Sequence, residues 1–151
     1  MQIIVCNIGS SSFKFQLLDM SDESVIARGY TERVGSEEAA VTYWKKGKQV
    51  LAVTLPMEDH RQAVQHALDF LSNPEFQILS NLSDIDGVGF KTIQAGEKNG
   101  SVRLTDDVLE AMEFYKDLAP AHNPPYLNAI YMFREILPKL PLVGVFEPGF
   151  H

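Results

Sequence analysis

The change of hydrophobic period near Glu58 constrains this fold more than any other feature of the sequence. Before it, apolar residues come in short runs parted by turn-forming residues, which is the pattern of strands. After it, Ala63, Val64, Ala67, Leu68 and Leu71 recur at helical intervals and fall on one face of a helix that ends near Asn73 and Pro74. A chain that begins as strands and continues with helices between strands is an α/β chain.

The strand half starts with Ile3 to Cys6, apolar and β-branched enough to be buried on both faces. Phe13 to Leu18 follows at hairpin distance, and Val25 to Thr31 comes after the polar turn "DMSDES". The stretch "AVTYWKKGKQVLAVTL" reads as a second hairpin around Gly47, with Val41, Tyr43, Val50, Ala52 and Thr54 as strand formers. Beyond the first helix, Val88 to Ile93 is a strand, and Thr105 caps a helix that has Asp106 and Asp107 in its first turn and buries Val108, Leu109 and Met112. Asn123 is expected as the cap of a further helix with Pro124 at its first position. Its stripe is Leu127, Ile130, Phe133 (or Tyr131) and Leu137, and Pro138 stops it. Leu142 to Glu147 is a final buried strand. The expected architecture is a mixed sheet, an antiparallel meander followed by βα crossovers, in one domain spanning residues 1–151 with no internal repeat or linker.

With 151 residues, 45% apolar and 22% charged, the chain can bury a genuine core as one domain or as part of a larger protein. A net charge of −7 argues against a nucleic-acid partner, although a few local lysines can still hold an anion. No apolar run reaches the roughly 18 residues that span a bilayer, and no basic-headed signal segment opens the chain. The single cysteine, Cys6, fits a reducing compartment and is expected as a buried strand residue rather than a reactive thiol. Cytoplasmic location and no membrane partner are the resulting expectations.

Four stretches can carry chemistry. The turn between the first two strands holds Asn7, Gly9 and the serines Ser10, Ser11 and Ser12, with Lys14 just beyond. Backbone N–H groups, hydroxyls and an ammonium suit a phosphate, although this is not a Walker loop; the alternative is a solvated serine-rich hairpin. Lys91 lies within an apolar strand and points either into a cleft or to solvent on an edge. His122 precedes a helix, as a cleft residue or merely a polar loop residue. Glu147 ends the last strand, at the edge where α/β sheets gather ligands.

Together, "VCNIGSSSFKFQLLD", Gly96-Glu97, "LAPAHNP" and "VFEPGFH" resemble, in this order, the acetate kinase (acetokinase) family. The resemblance covers the whole chain and implies an actin-like ATPase fold (ribonuclease H-like). It also implies magnesium-dependent, reversible phosphoryl transfer between ATP and a short carboxylate to give an acyl phosphate. By resemblance, Asn7, Gly9, Ser10, Ser11, Ser12 and Lys14 are the phosphate-binding positions, and His122 stabilises charge on the transferring group. Glu147 stands where the family has a catalytic aspartate, so Asn7 and Glu147 are the expected metal positions.

The family's usual G-H-R-V-V-H-G-G-E is "GFKTIQAGE" here. Lys91 therefore replaces the arginine expected to grip the carboxylate, keeping the charge and losing the bidentate fork. Gln94 replaces a histidine and Ala95 a glycine. These departures lie on the substrate side and imply altered substrate choice or lowered activity with phosphate binding retained. Family members are more than twice as long, so a carboxyl-terminal domain bearing the adenosine pocket and most of a homodimer contact is expected elsewhere, and the isolated chain is expected to be inactive. A non-catalytic phosphate- or nucleotide-binding or regulatory module is the alternative; a sugar or polyol kinase fits "LAPAHNP" and "VFEPGFH" less well.

Overall fold

The computed structural model describes residues 1–93, 100–103 and 123–146. Five strands, β1 (Gln2–Ile8), β2 (Phe13–Asp19), β3 (Ser24–Glu32), β4 (Ala39–Lys45) and β5 (Lys48–Leu55), run as an antiparallel meander. Helix α1 (His60–Ser72) then leads to β6 (Gly87–Ile93), which lies parallel to β1. Next come β7 (Gly100–Arg103), helix α2 (Asn123–Ile136) and β8 (Leu142–Phe146). All eight strands form one sheet in the order β5-β4-β3-β2-β1-β6-β8-β7, with β8 parallel to β6 and antiparallel to β7. The meander followed by helical crossovers is the architecture that the periodicity predicts.

Local chemistry sets the boundaries. The β4–β5 hairpin turns on Lys46 and Gly47, both at positive φ, the two-residue geometry that matches strand twist. Asp59 caps α1 by accepting from the N–H groups of Arg61 and Gln62, so the helix begins just after the change of period. In α2, Asn123 is the first helical residue rather than the cap that its side chain suggests, and the helix closes at Ile136, ahead of Pro138. The helix expected from Thr105 lies outside the described residues.

Alternate residues of β1 to β4, among them Ile4, Cys6, Phe13, Phe15, Leu17, Ala27, Val41 and Tyr43, share one core with Val64, Leu68 and Leu71 of α1 and Leu127, Ile130 and Phe133 of α2. Phe133, not Tyr131, is the buried member of the α2 stripe, and its ring meets Phe90 of β6 edge-on at 5.7 Å. The other sheet face carries Asn7, Lys14, Gln16, Arg28 and Lys91, all exposed. Among the described residues the helices lie on one face, and the polar face of the central strands is open.

Gly29 makes the core face close. A Cβ there would lie 2.3 Å from Phe15 Cε1 and 2.6 Å from Tyr43 Cδ1, whose rings pack 6.0 Å apart. Gly29→Ala should therefore destabilise the chain by about 1–3 kcal/mol, read as a lower urea midpoint with unchanged slope. An unchanged midpoint would mean that the two rings yield without cost.

Candidate functional site

The pairing of Ile8 with Phe13 leaves residues 9–12 as a four-residue loop between β1 and β2. The loop is tied to the body of the protein. The Gly9 N–H donates to the Ser12 carbonyl at 3.1 Å, and the Val34 N–H donates to the Ser11 carbonyl at 2.9 Å. His60, at the start of α1, donates from Nε2 to the same Ser12 carbonyl at 3.0 Å. A carbonyl can only accept, so His60 carries its proton on Nε2. With both lone pairs of Ser12 engaged, the loop is fixed from the strand side and the helix side. Ser10 and Ser11 remain exposed. Gly9 lies close to Ser12: an added Cβ would sit 2.5 Å from Ser12 Oγ and would displace that hydroxyl.

Register aligns the charged groups. Asn7 pairs with Lys14 on one side and with Lys91 on the other, and Lys14 pairs with Tyr30, so Lys91, Asn7, Lys14 and Tyr30 form one row across four strands. The adjacent row is Val5, Gln16, Arg28 and Trp44. The two rows border a cleft of about 290 Å³. Lys14 Nζ lies 4.7 Å from the centre of the Tyr30 ring, and Arg28 Cζ lies 3.8 Å from that of Trp44. β6 is an interior strand and Lys91 borders this cleft, so the edge-strand reading of Lys91 fails. Buried Tyr126 of α2 donates its hydroxyl to the Lys91 carbonyl at 2.5 Å, which fixes the strand that presents the ammonium.

The structure thus brings Asn7, Lys14 and Lys91 together beside the loop of Gly9, Ser10, Ser11 and Ser12; Gln94, His122 and Glu147 lie outside the described residues. Cys6 is on the opposite face, fully buried, and burial pushes its thiol far above the ordinary range, so it is no nucleophile at neutral pH. Sequence reasoning missed Arg28, Tyr30, Trp44 and His60. The first three share the outward parity of Lys14, a signal readable only once the strand registers are known. His60 announces itself only by following a helix cap.

Among the described residues no group of three or more His, Cys, Asp or Glu is placed to hold a metal. Asn7 offers one amide oxygen between two lysines. That setting fits a magnesium ion brought in on phosphate oxygens, not a bare one.

The sequence matches the acetokinase family over residues 2–151. This chain belongs to that family. It is 43% identical to the acetate kinase of Coprothermobacter proteolyticus over 152 residues, covering 100% of this chain and 38% of that protein. The acetate kinase of Clostridium acetobutylicum is 40% identical with the same coverage. Among solved structures, Porphyromonas gingivalis acetate kinase superposes with a TM-score of 0.86 at 32% identity, covering 96% of this chain and 37% of that one. A propionate kinase from Francisella tularensis superposes at 0.80 with 27% identity, covering 96% and 36%. The acetokinase fold of this chain is that of the actin-like ATPases. The chain spans about 38% of the length of the curated relatives it matches.

Proposed function

We propose that this chain is the amino-terminal part of a kinase that moves a phosphoryl group between ATP and a short-chain carboxylate. One observation carries the reading: Asn7 lies between Lys14 and Lys91 on the open sheet face, beside a serine loop tied down at Gly9, Ser11 and Ser12. The loop's hydroxyls and N–H groups, with Asn7 and Lys14, hold the transferring phosphoryl group. Lys91 attracts the carboxylate and Gln94 adjoins it. A carboxylate oxygen attacks the γ-phosphorus, the bond to the ADP oxygen breaks with its electron pair on ADP, and an acyl phosphate results. Such transfer rests on positioning and electrostatic stabilisation, to which His122 adds a donor and Glu147 a carboxylate near the substrate. Asn7 and Glu147 would hold magnesium, which supplies charge neutralisation on the phosphates.

A domain beyond these residues completes the nucleotide pocket, and the whole protein is a homodimer. No helix among the described residues is long and apolar enough to cross a membrane. Trapping acyl phosphate with hydroxylamine tests the reading, using the full-length polypeptide that contains this chain, ATP and a set of short carboxylates. Hydroxamate with at least one acid is expected. None with any acid would leave the binding-module reading in place.

Lys91→Arg restores the planar fork on the strand fixed by Tyr126. It should lower the KM for acetate by roughly three- to tenfold with little change in kcat, since a bidentate grip orients as well as attracts. An unchanged KM would assign Lys91 no part in gripping the acid.

A further inference from the structure

Successive residues of β6 face opposite sides of the sheet. Phe90 turns into the core, where its ring meets Phe133 of α2, and Lys91 is exposed at the cleft. Whatever holds the backbone at Lys91 from the helix side therefore sets where its ammonium stands on the cleft side. The sheet alone holds that backbone incompletely. Lys91 keeps its pairing with Asn7 of β1, but the register with β8 is broken between Phe90 and Ile93. Such breaks take residues out of the ladder, and they recur beside active sites, where they re-aim a side chain. A donor from another element supplements the ladder here. The Tyr126 hydroxyl donates to the Lys91 carbonyl at 2.5 Å, and Tyr126 belongs to the buried core at 3% exposed. Tyr126 and Phe133 are seven residues, or two helical turns, apart. One face of α2 thus holds β6 by a hydrogen bond at Lys91 and by a ring contact at Phe90.

We propose that Tyr126 is a positioning residue for the acid: its hydroxyl sets where the Lys91 ammonium stands, and through it the strength of the grip on the carboxylate. The proposal rests on the kinase reading of the cleft and adds the residue that tunes its acid site. The hydroxyl acts from the core side, through the strand. It ties that strand to the helix that directly follows His122 in the sequence.

The test uses the full-length polypeptide that contains this chain. Its lysines are reductively methylated with formaldehyde and cyanoborohydride at rising acetate and constant ionic strength, and each peptide is read by mass spectrometry. Acetate should shield Lys91 in the parent. Tyr126→Phe keeps the ring and loses the donor, and should raise the half-shielding concentration by about three- to tenfold, the size of one hydrogen bond. In turnover, the KM for acetate should rise by the same factor while the KM for ATP does not move. Ile130→Val, in the same buried stripe of α2, should lower the melting temperature and leave the shielding unchanged. An unchanged half-shielding concentration in Tyr126→Phe, an equal rise in Ile130→Val, or no shielding of Lys91 in the parent would each overturn the positioning role. A Tyr126→Phe protein that does not fold would make the hydroxyl a structural contact and overturn it too. The kinase reading fails separately: the shielding shifts as expected, yet the parent protein yields hydroxamate from no acid. Hydroxamate formation with shielding that Tyr126→Phe leaves unmoved would keep the kinase and remove Tyr126 from its acid site.

Discussion

If the proposed kinase reading holds, Lys14→Ala in the full-length protein should lower phosphoryl transfer by about a hundredfold to a thousandfold, the size of effect seen when one preorganised donor to a charged transition state is removed. Lys14 is exposed on the open face, next to the tied loop, and its ammonium is held only by the Tyr30 ring at 4.7 Å among the described residues. Losing an exposed cation–π contact costs about 0.5–1 kcal/mol, so the melting temperature should move by only a few degrees. The two readouts separate the readings of the serine turn. A large fall in kcat with an intact melting curve assigns Lys14 to the chemistry. A large fall in stability with proportionate loss of activity would make the turn a structural hairpin. Lys14→Arg should recover part of the rate, because it keeps the charge on the same row.

The fold was legible because each element states its period locally. The meander could be read from β-branched and aromatic residues between turn residues, and α1 from its apolar stripe, which the structure buries at Ala63, Val64, Ala67, Leu68 and Leu71. Strand β7 was not legible. Its four residues, Gly-Ser-Val-Arg, are too few to show alternation, and it exists because β8 offers a free edge for antiparallel pairing. Asn123 misled because a residue that favours caps also occurs in a first helical turn, and helix ends shift by a residue or two.

The site was legible where a contiguous motif carries it and illegible where the register does. Asn7, the serines and Lys14 lie within eight consecutive positions and declare themselves. Lys91 stood out as a charge in an apolar strand, but whether it faced a cleft depended on β6 being interior, which only pairing decides. Arg28 and Trp44 are 16 positions apart and meet because the β3–β4 pairing places them opposite each other. No pattern in either strand requires that match. The subsite departures, Lys91 and Gln94 in place of the family's arginine and histidine, were visible as substitutions. The contact of Arg28 with Trp44 was not.

His60→Ala should cost about 2–4 kcal/mol, by leaving a cavity and stripping one donor from the buried side of the loop. His60 is only 3% exposed, and its Nε2–H holds the carbonyl that also receives the Gly9 N–H. Burial lowers its pKa, opposed by the carbonyls of Ser12 and Gly9 and by the charge of Asp59. The unfolded chain therefore takes up the proton first on acidification. The stabilisation is complete above the ordinary histidine range near 6.5 and is lost as pH falls below it, through the depressed folded value. His66, partly buried and hydrogen-bonded to the Tyr43 hydroxyl, is lowered by burial against the opposing charge of Asp69 and adds to the same acid limb. Urea midpoints measured from pH 7.5 to 5 should fall for the parent chain and fall less steeply for His60→Gln, whose amide N–H can reach the Ser12 carbonyl and does not titrate. On the proposed kinase reading, His60→Gln should also recover, in the full-length protein, most of the kcat that His60→Ala loses. A slope unchanged in His60→Gln would place the acid sensitivity outside His60. Unchanged kcat in a folded His60→Ala protein would show that the serine loop holds its shape without the histidine.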